Sequence, residues 1–598
     1  MSTISPAGHR FPGPDSGLQV NFCKNVSCAA FGVPETLHRK RRLPEATPQP
    51  GDYSRHGANA NTVMKCGVCG SFNPVRSNLG IVEERARLCA PMTGKPAPSC
   101  PVEACSNYGI SVSTPGSYAR FGKTKVGTPR WRCNACKKTF SENGAPLNRQ
   151  RKAHKNRDVF ALLMNKSPIK RIAEATGLDP KTLYGKFAFI HRQCLAFAGQ
   201  REMPLLHGMR LPKLYLAVDR QSHTVNWSSR NDRRNVTLSA IASADLESGY
   251  VFGFHLNFDP RLDPTQVEAE AAVLRDTAHM EAFRRFARVW LAHDYDAAVE
   301  TAALLSPVKR ASSPKPDKLR DTIERTYAAA QARPDVEAPD HKSEDETLPA
   351  MGMQVREQYT MHGHFQMLAA MLQGAEKVRV YMDQDSGIRA AFLAAFADRI
   401  KERTADGWYV SVLKESTIHE KEHAVQKARL RLEDCKERNP GLSDHGLHLA
   451  LMMGEMAQAT ALGNYGDKWL AHPVPSMSEP AKKVCWLTDM GDYEQEHAAR
   501  LYLRASLHAV DRFFMQARRR LSLAERAIIT ASKDRRVWHG YAAYKPENLA
   551  MVLEIFRAFY NYCKAGKDKK TPAMRLGLAK APIPLEDVLY FRPINHRA

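Results

Sequence analysis

A Cys-x4-Cys pair followed at a distance by a Cys-x2-Cys pair occurs twice in the first quarter of the chain. The first set is Cys23, Cys28, Cys66 and Cys69, and the second is Cys100, Cys105, Cys133 and Cys136. Four thiolates in two knuckles, joined by a long excursion, form the donor set of a structural zinc site. A metal that stands in for a hydrophobic core confines each segment to tight turns and short strands. Its binding contributes roughly 10–16 kcal/mol to folding such a module. The repeat extends beyond the cysteines. Tyr53-Ser54-Arg55-His56-Gly57 echoes Tyr118-Ala119-Arg120-Phe121-Gly122, Phe72 follows Cys69 by three residues, and Phe140 follows Cys136 by four. Cys89, Cys194, Cys435, Cys485 and Cys563 fall outside the pattern and read as buried thiols. The first twenty residues carry Pro6, Pro12 and Pro14 and no apolar run, so no secretory signal is expected. No stretch of about eighteen apolar residues predicts a membrane span. A cytoplasmic, reducing location follows, where paired cysteines bind metal more often than they form disulfides.

At 598 residues the chain exceeds a single core and predicts several domains. Lys and Arg number 87 against 63 Asp and Glu, a net charge of +24. Residues 120–170 hold fourteen of the cations and only Glu142 and Asp158 as acids, so half of the net charge sits in one short stretch. That concentration predicts a polyanionic partner, double-stranded DNA, with Arg130, Arg132, Lys137 and Lys138 of the second cysteine module as contacts. Residues 150–195 read as a helix-turn-helix. Ile169, Ile172 and Ala173 mark its first helix, Gly177 its turn, and Asp179 and Pro180 the cap and first residue of the second. Lys181, Thr182, Tyr184 and Lys186 would then form the face that enters the major groove.

Further along, apolar strands are expected at Leu214–Val218, Val236–Ala242, Tyr250–Leu256, Val378–Met382 and Trp408–Leu413, with a helix at Ile388–Ile400. With one more helix from the intervening segment this is a β-β-β-α-β-α-β progression, the layout of a ribonuclease-H-like α/β domain. Its pieces are 210–263, 377–414 and 490–545. A helical insertion at 264–376 contains a charged, flexible stretch from Ser306 to Glu346, and a second, mostly helical insertion covers 415–489. A disordered arm (1–20), a first zinc module (21–80), a second zinc ribbon (95–145) and a C-terminal segment (546–598) complete the division. Asp219 and Asp383 each follow an apolar strand. Carboxylates gathered at neighbouring strand ends suit Mg²⁺ or Mn²⁺, and two such ions can drive in-line displacement at phosphorus. A third acid is needed from an adjacent helix. Asp511 is chosen, on a long helix from about Tyr493 to Arg520. Glu525 is its rival, and Asp385 rivals Asp383. Arg518 lies two helical turns after Asp511, and Arg518 and Arg519 are placed to hold phosphates.

These elements resemble the bacterial insertion-sequence transposases of the acidic-triad, ribonuclease-H-like kind that carry a zinc ribbon and helix-turn-helix in front. The resemblance rests on Arg130-Trp131-Arg132-Cys133-Asn134-Ala135-Cys136-Lys137-Lys138-Thr139-Phe140, Leu216-Ala217-Val218-Asp219, Tyr381-Met382-Asp383, Val510-Asp511-Arg512 with Arg518, and the tail Thr571-Pro572-Ala573-Met574-Arg575-Leu576-Gly577-Leu578. It covers roughly 100–260 and 376–591. It implies a DNA transposase in which Mg²⁺ on Asp219, Asp383 and Asp511 supports strand cleavage and strand transfer. Structural Zn²⁺ and the helix-turn-helix would serve end recognition, and a homo-oligomer on element ends and target DNA is expected. The third acid of such proteins is usually Glu, where this chain has Asp511. The alternative is a catalytically inactive, transposase-derived DNA-binding protein or regulator.

Overall fold

The computed structural model describes residues 10–36, 47–57, 62–92, 98–102, 104–108, 110, 112, 114–124, 128–141, 150–226, 235–297, 351–412, 417–463, 465–525, 528–529, 537–538 and 545–592. The expected flexible stretch at 306–346 lies outside them. Two compact units result. The larger comprises Met1–Leu88, Gly208–Arg518 and Ala524–Ala550, the smaller Cys89–His207, Arg519–Leu523 and Met551–Ala598. The chain is thus a multidomain α/β protein with a mixed sheet and two four-cysteine clusters. Among the described residues no helix is long and apolar enough to cross a membrane.

The larger unit is organised by an eight-stranded sheet. Its strands are β1 (Leu214–Asn226), β2 (Asn235–Asp245), β3 (Val251–Leu256), β4 (Val378–Asp383), β5 (Ala405–Val412), β6 (Thr460–Leu462), β7 (Asp467–Ala471) and β8 (Lys482–Trp486). They lie in the order β6-β7-β8-β5-β4-β1-β2-β3. The central β1, β4 and β5 are parallel, and every outer pairing is antiparallel. β4 and β5 are buried along almost their whole length, Arg379 and Asp406 included, because helices cover both faces. On one face, Phe365 of the helix Glu357–Met371 meets Phe392 of the helix Ser386–Ala395 with ring centroids 6.0 Å apart. Gly407 of β5 lets Phe392 approach so closely that a Cβ would lie 2.3 Å from its ring. On the other face, the Tyr381 hydroxyl donates to the Leu501 carbonyl at 2.9 Å, and Phe254 packs edge-on against Phe513 at 5.0 Å.

Several expectations are corrected. β1 does not end before Asp219 but runs on to Asn226, because its whole length is paired with β2 from Leu216–Asp245 to Asn226–Asn235. The second insertion, expected to be mostly helical and to end near a strand at Val484–Leu487, carries more strand than that. After the helices Ile418–Arg438 and Asp444–Ala457 it adds three antiparallel strands to the sheet edge. The single helix expected at 493–520 is two, Gln495–Leu503 and His508–Arg520. At the break, the Glu479 carboxylate accepts from Ser506 Oγ and from the Leu507 amide, both at 2.8 Å, and Lys482 donates to the Ala505 carbonyl at 2.6 Å. These partners satisfy the polar groups that the interruption frees. Residues 10–20, expected in a disordered arm, are packed: Phe11 and Val20 are buried, and Asn78 donates to the Pro12 and Gly13 carbonyls.

In the smaller unit the helices Asn156–Leu163, Ile169–Thr176 and Pro180–Leu206 follow the second ribbon. Gly177 has φ +65°, and the Asp179 side chain accepts from the Thr182 amide at 2.9 Å, as the turn chemistry predicts. A Cβ at Gly177 would meet no atom within 4 Å. Gly177→Ala should therefore cost only the left-handed backbone term, about 1 kcal/mol, read as a lowered melting temperature of this unit. The third helix is far longer than the sequence suggested, because the C-terminal segment packs along it. Gln193 donates to the Leu589 and Phe591 carbonyls, Phe197 meets Tyr562 at 5.1 Å, and buried Glu202 pairs with Arg557 at 2.6 Å. The C-terminal segment, read from the sequence as beginning helical and finishing in short extended pieces, finishes instead in the short helices Pro572–Leu576 and Leu585–Leu589.

Candidate metal centres and acidic site

Both cysteine sets converge. The Sγ atoms of Cys23 and Cys69 lie 3.6 Å apart and those of Cys28 and Cys66 3.9 Å. In the second set Cys100 and Cys136 are 3.4 Å apart, and Cys105 and Cys133 3.7 Å. Zn–S bonds of about 2.3 Å place tetrahedral thiolates about 3.8 Å apart, so each set has the dimensions of a zinc site. Burial first, and then the neighbouring thiols, push Cys28 up to about 11, and burial with the other three cysteines pushes Cys100 up to about 12. Four sulfurs this close together carry their charges as a group only around a cation.

The sequence echo is an atomic one. Tyr53 Oη accepts from the Cys23 amide and donates to the Ala30 and Val33 carbonyls, two and five residues after Cys28. Tyr118 Oη accepts from the Cys100 amide and donates to the Asn107 and Ile110 carbonyls, two and five residues after Cys105. Tyr53 pairs with Cys66, and Tyr118 with Cys133, in matching three-stranded sheets. One tyrosine thus ties the first knuckle to the strand that delivers the second.

The two ribbons differ in surroundings. The first belongs to the larger unit. Ser77 donates its amide to Tyr359 Oη at 3.1 Å, and Tyr465 donates to the Phe72 carbonyl at 3.0 Å. The helix Asn78–Cys89 that leaves this ribbon carries Glu84, fully buried between Arg87 (2.5 Å), Arg288 (3.2 Å) and the Thr360 hydroxyl (3.2 Å). In the second ribbon the strand Tyr118–Lys123 is exposed from Ala119 onward, without such cover among the described residues. Arg132, Lys137 and Lys138 are exposed and Arg130 is half-buried.

Of the residues expected to face a major groove, Lys181 is exposed, and Thr182 and Tyr184 are half-buried. Lys186, expected on the exposed face, is 2% exposed. Its ammonium donates to the Arg151 and Lys152 carbonyls at 2.7 and 3.0 Å, and burial lowers its pKa. The single Thr182 hydroxyl is engaged too, donating to Asp179 at 2.6 Å.

The acids lie as follows. β4 and β1 pair in parallel from Val378–Leu214 to Met382–Val218, so Asp383 and Asp219 are the next residues on neighbouring strands. Asp219 is 5% exposed, and its Oδ1 accepts from the Arg220 amide at 2.7 Å. Alternation places Gln221 and His223 on the face of Asp219. There the Gln221 carboxamide oxygen, in the orientation that satisfies both groups, accepts from Arg518 Nη2 at 3.0 Å and from Nε. Burial first, and then Arg518, pushes His223 down to about 3, so it is neutral at pH 7. Asp511 stands on the same helix as Arg518, two turns earlier and half-buried. Arg519 is exposed. Glu525 lies beyond the helix, after the turn Ser522–Ala524. Asp385 caps the helix Ser386–Ala395, accepting from the Gly387 amide at 2.7 Å, and pairs with Arg220. Arg220 also pairs with Glu357. Burial opposes its charge, but Asp385, Glu357, Asp219 and Asp383 together hold its pKa above the usual value. Arg220, Gln221 and Glu357 were not singled out in the sequence. Carrying the strand alternation past Asp219 would have found Gln221, but nothing marked Glu357.

Among the described residues, only the two cysteine sets bring three or more ligand atoms within 4.8 Å of one another. Asp219, Asp383 and Asp511 do not form such a group. In comparisons with known proteins, no family model, curated protein or solved structure matches the chain.

Proposed function

We propose that the protein is a DNA transposase whose larger unit is a ribonuclease-H-like catalytic core and whose smaller unit binds element ends. One observation carries this reading: Asp219 and Asp383 stand side by side, one step past the Val218–Met382 pair, on the neighbouring parallel strands β1 and β4, on the face covered by the helix bearing Asp511 and Arg518. The strand order β3-β2-β1-β4-β5, with only β2 antiparallel to the central strands among β1, β2, β4 and β5 and β3 returning beside it, agrees with that core. A divalent ion, Mg²⁺ or Mn²⁺, on these carboxylates would polarise the scissile phosphate and activate water or a 3′ hydroxyl. Arg518 would hold phosphate beside it. The second ribbon and the Gly177 turn with its capped helix support the end-binding role, in which the helix-turn-helix lays Lys181 and Tyr184 into a major groove. Protomers would pair on two ends.

The competing reading, an inactive DNA-binding derivative, is favoured by the three acids not converging in this structure. The test is Mg²⁺-dependent strand transfer with duplexes carrying the DNA that flanks the coding region. Wild type should cut and join these ends, and no cleavage would sink the transposase reading. Asp511→Ala should abolish the reaction while Glu525→Ala spares it. The opposite outcome would move the third acid to Glu525.

A further inference from the structure

The second ribbon carries no Asp or Glu from Tyr118 to Ser141, against seven Lys and Arg. Charge of that kind suits any phosphate backbone. Its sheet adds something that phosphate contacts do not require. Phe121 is 45% exposed at the irregular register between Arg120 and Lys123, with the Arg130 guanidinium 5.4 Å from its ring. One pair earlier, Arg120 lies across the sheet from Trp131 and 5.7 Å from its ring. Each guanidinium is held against an aromatic by a cross-strand neighbour, which orients it without using a carboxylate. The exposed strand therefore presents an aromatic face flanked by unneutralised cations.

Duplex DNA offers that surface phosphates and groove edges, but its bases hide their faces in the stack. An unpaired strand offers both at once, a bare π-face and an adjacent phosphate. We infer that the second ribbon is a platform for unpaired DNA, with Phe121 stacking on a base while Arg130 and Arg132 hold the neighbouring phosphates. The inference rests on the DNA-binding reading above and narrows it: this ribbon engages the strand that is exposed when element ends fray or are cut, while duplex recognition falls to the helices.

Full-length protein would be titrated against labelled oligo(dT) and against a labelled hairpin duplex, with zinc content and melting temperature recorded for each variant. Phe121→Ala should weaken oligo(dT) binding about tenfold and spare the duplex, and Phe121→Trp should restore it. With 2-aminopurine in the single strand, wild type should quench its fluorescence and Phe121→Ala should not. Unchanged oligo(dT) affinity in Phe121→Ala, or equal loss on both probes, would overturn the platform while leaving DNA binding intact. Failure of wild type to bind either probe would instead overturn the DNA-binding reading itself.

Discussion

Asp219→Ala and Asp383→Ala should each lower Mg²⁺-dependent strand transfer by at least about a thousandfold and leave binding of the DNA ends unchanged. The magnitude follows from the several kcal/mol of transition-state stabilisation that a metal supplies, at about 1.4 kcal/mol per factor of ten. The two carboxylates stand side by side at the same level of neighbouring parallel strands. Neither is spent on capping a helix, as Asp385 is. Arg220 pairs with Asp385 and Glu357, and its backbone amide donates to Asp219 at 2.7 Å. Two carboxylates so placed repel each other unless a cation lies between them. Removing either should therefore abolish the stabilisation of wild type by added Mg²⁺ or Mn²⁺, read as a shift in melting temperature. Full activity in either variant would remove that carboxylate from the mechanism. A variant that melts early would mark it as a structural group.

The second large effect separates the two ribbons. Cys66→Ser should prevent the larger unit from folding, whereas Cys133→Ser should unfold only the second ribbon. Zinc binding of roughly 10–16 kcal/mol is as large as the roughly 5–15 kcal/mol net stability of a typical domain. Loss of the first site therefore spreads wherever the ribbon is part of the packing. Just after its sheet the Ser77 amide bonds Tyr359 of the helix over the main sheet, and Glu84 follows on the helix that leaves it. Without the ribbon, Glu84 and Arg288 would lose their alignment, and stranding one partner of a buried pair costs about 3–5 kcal/mol. Among the described residues the second ribbon has no comparable cover. Zinc stoichiometry with limited proteolysis checks this: Cys133→Ser should retain one zinc and a protease-resistant larger unit, and Cys66→Ser should retain one zinc without it. Equal damage from both substitutions would refute the division.

Much of this was legible in the residues because the determinants are local. Cysteine spacing set both knuckles, and the repeated Tyr-x-x-x-Gly marked the residue that joins each knuckle to its strand. Gly177, Asp179 and Pro180 announced a turn whose cap needs no distant partner. The apolar runs at Leu214–Val218 and Val378–Met382 located the central strands. What failed was non-local. Asp219 looked like a strand end because apolarity stops there, yet β2 supplies backbone partners as far as Asn226, and a ladder does not depend on apolar side chains. Lys186 looked like a surface cation because its neighbours Lys181 and Gly185 are exposed, but two carbonyls from Arg151 and Lys152 receive it inside. The helix across 493–520 looked continuous because the break is stabilised by Glu479, some twenty-seven residues away.

By itself the sequence determined the two zinc-sized cysteine sets, the basic character of the second, the order of the α/β elements and the identity of the candidate acids. These depend on spacing, composition and short-range backbone preference. Only the tertiary structure decided that Asp219 and Asp383 share a register, that Arg518 reaches their face of the sheet, and that the first ribbon belongs to the larger unit while the second stands exposed in the smaller. Two copies of one motif carry the same local instructions, and their different roles come from what packs against them.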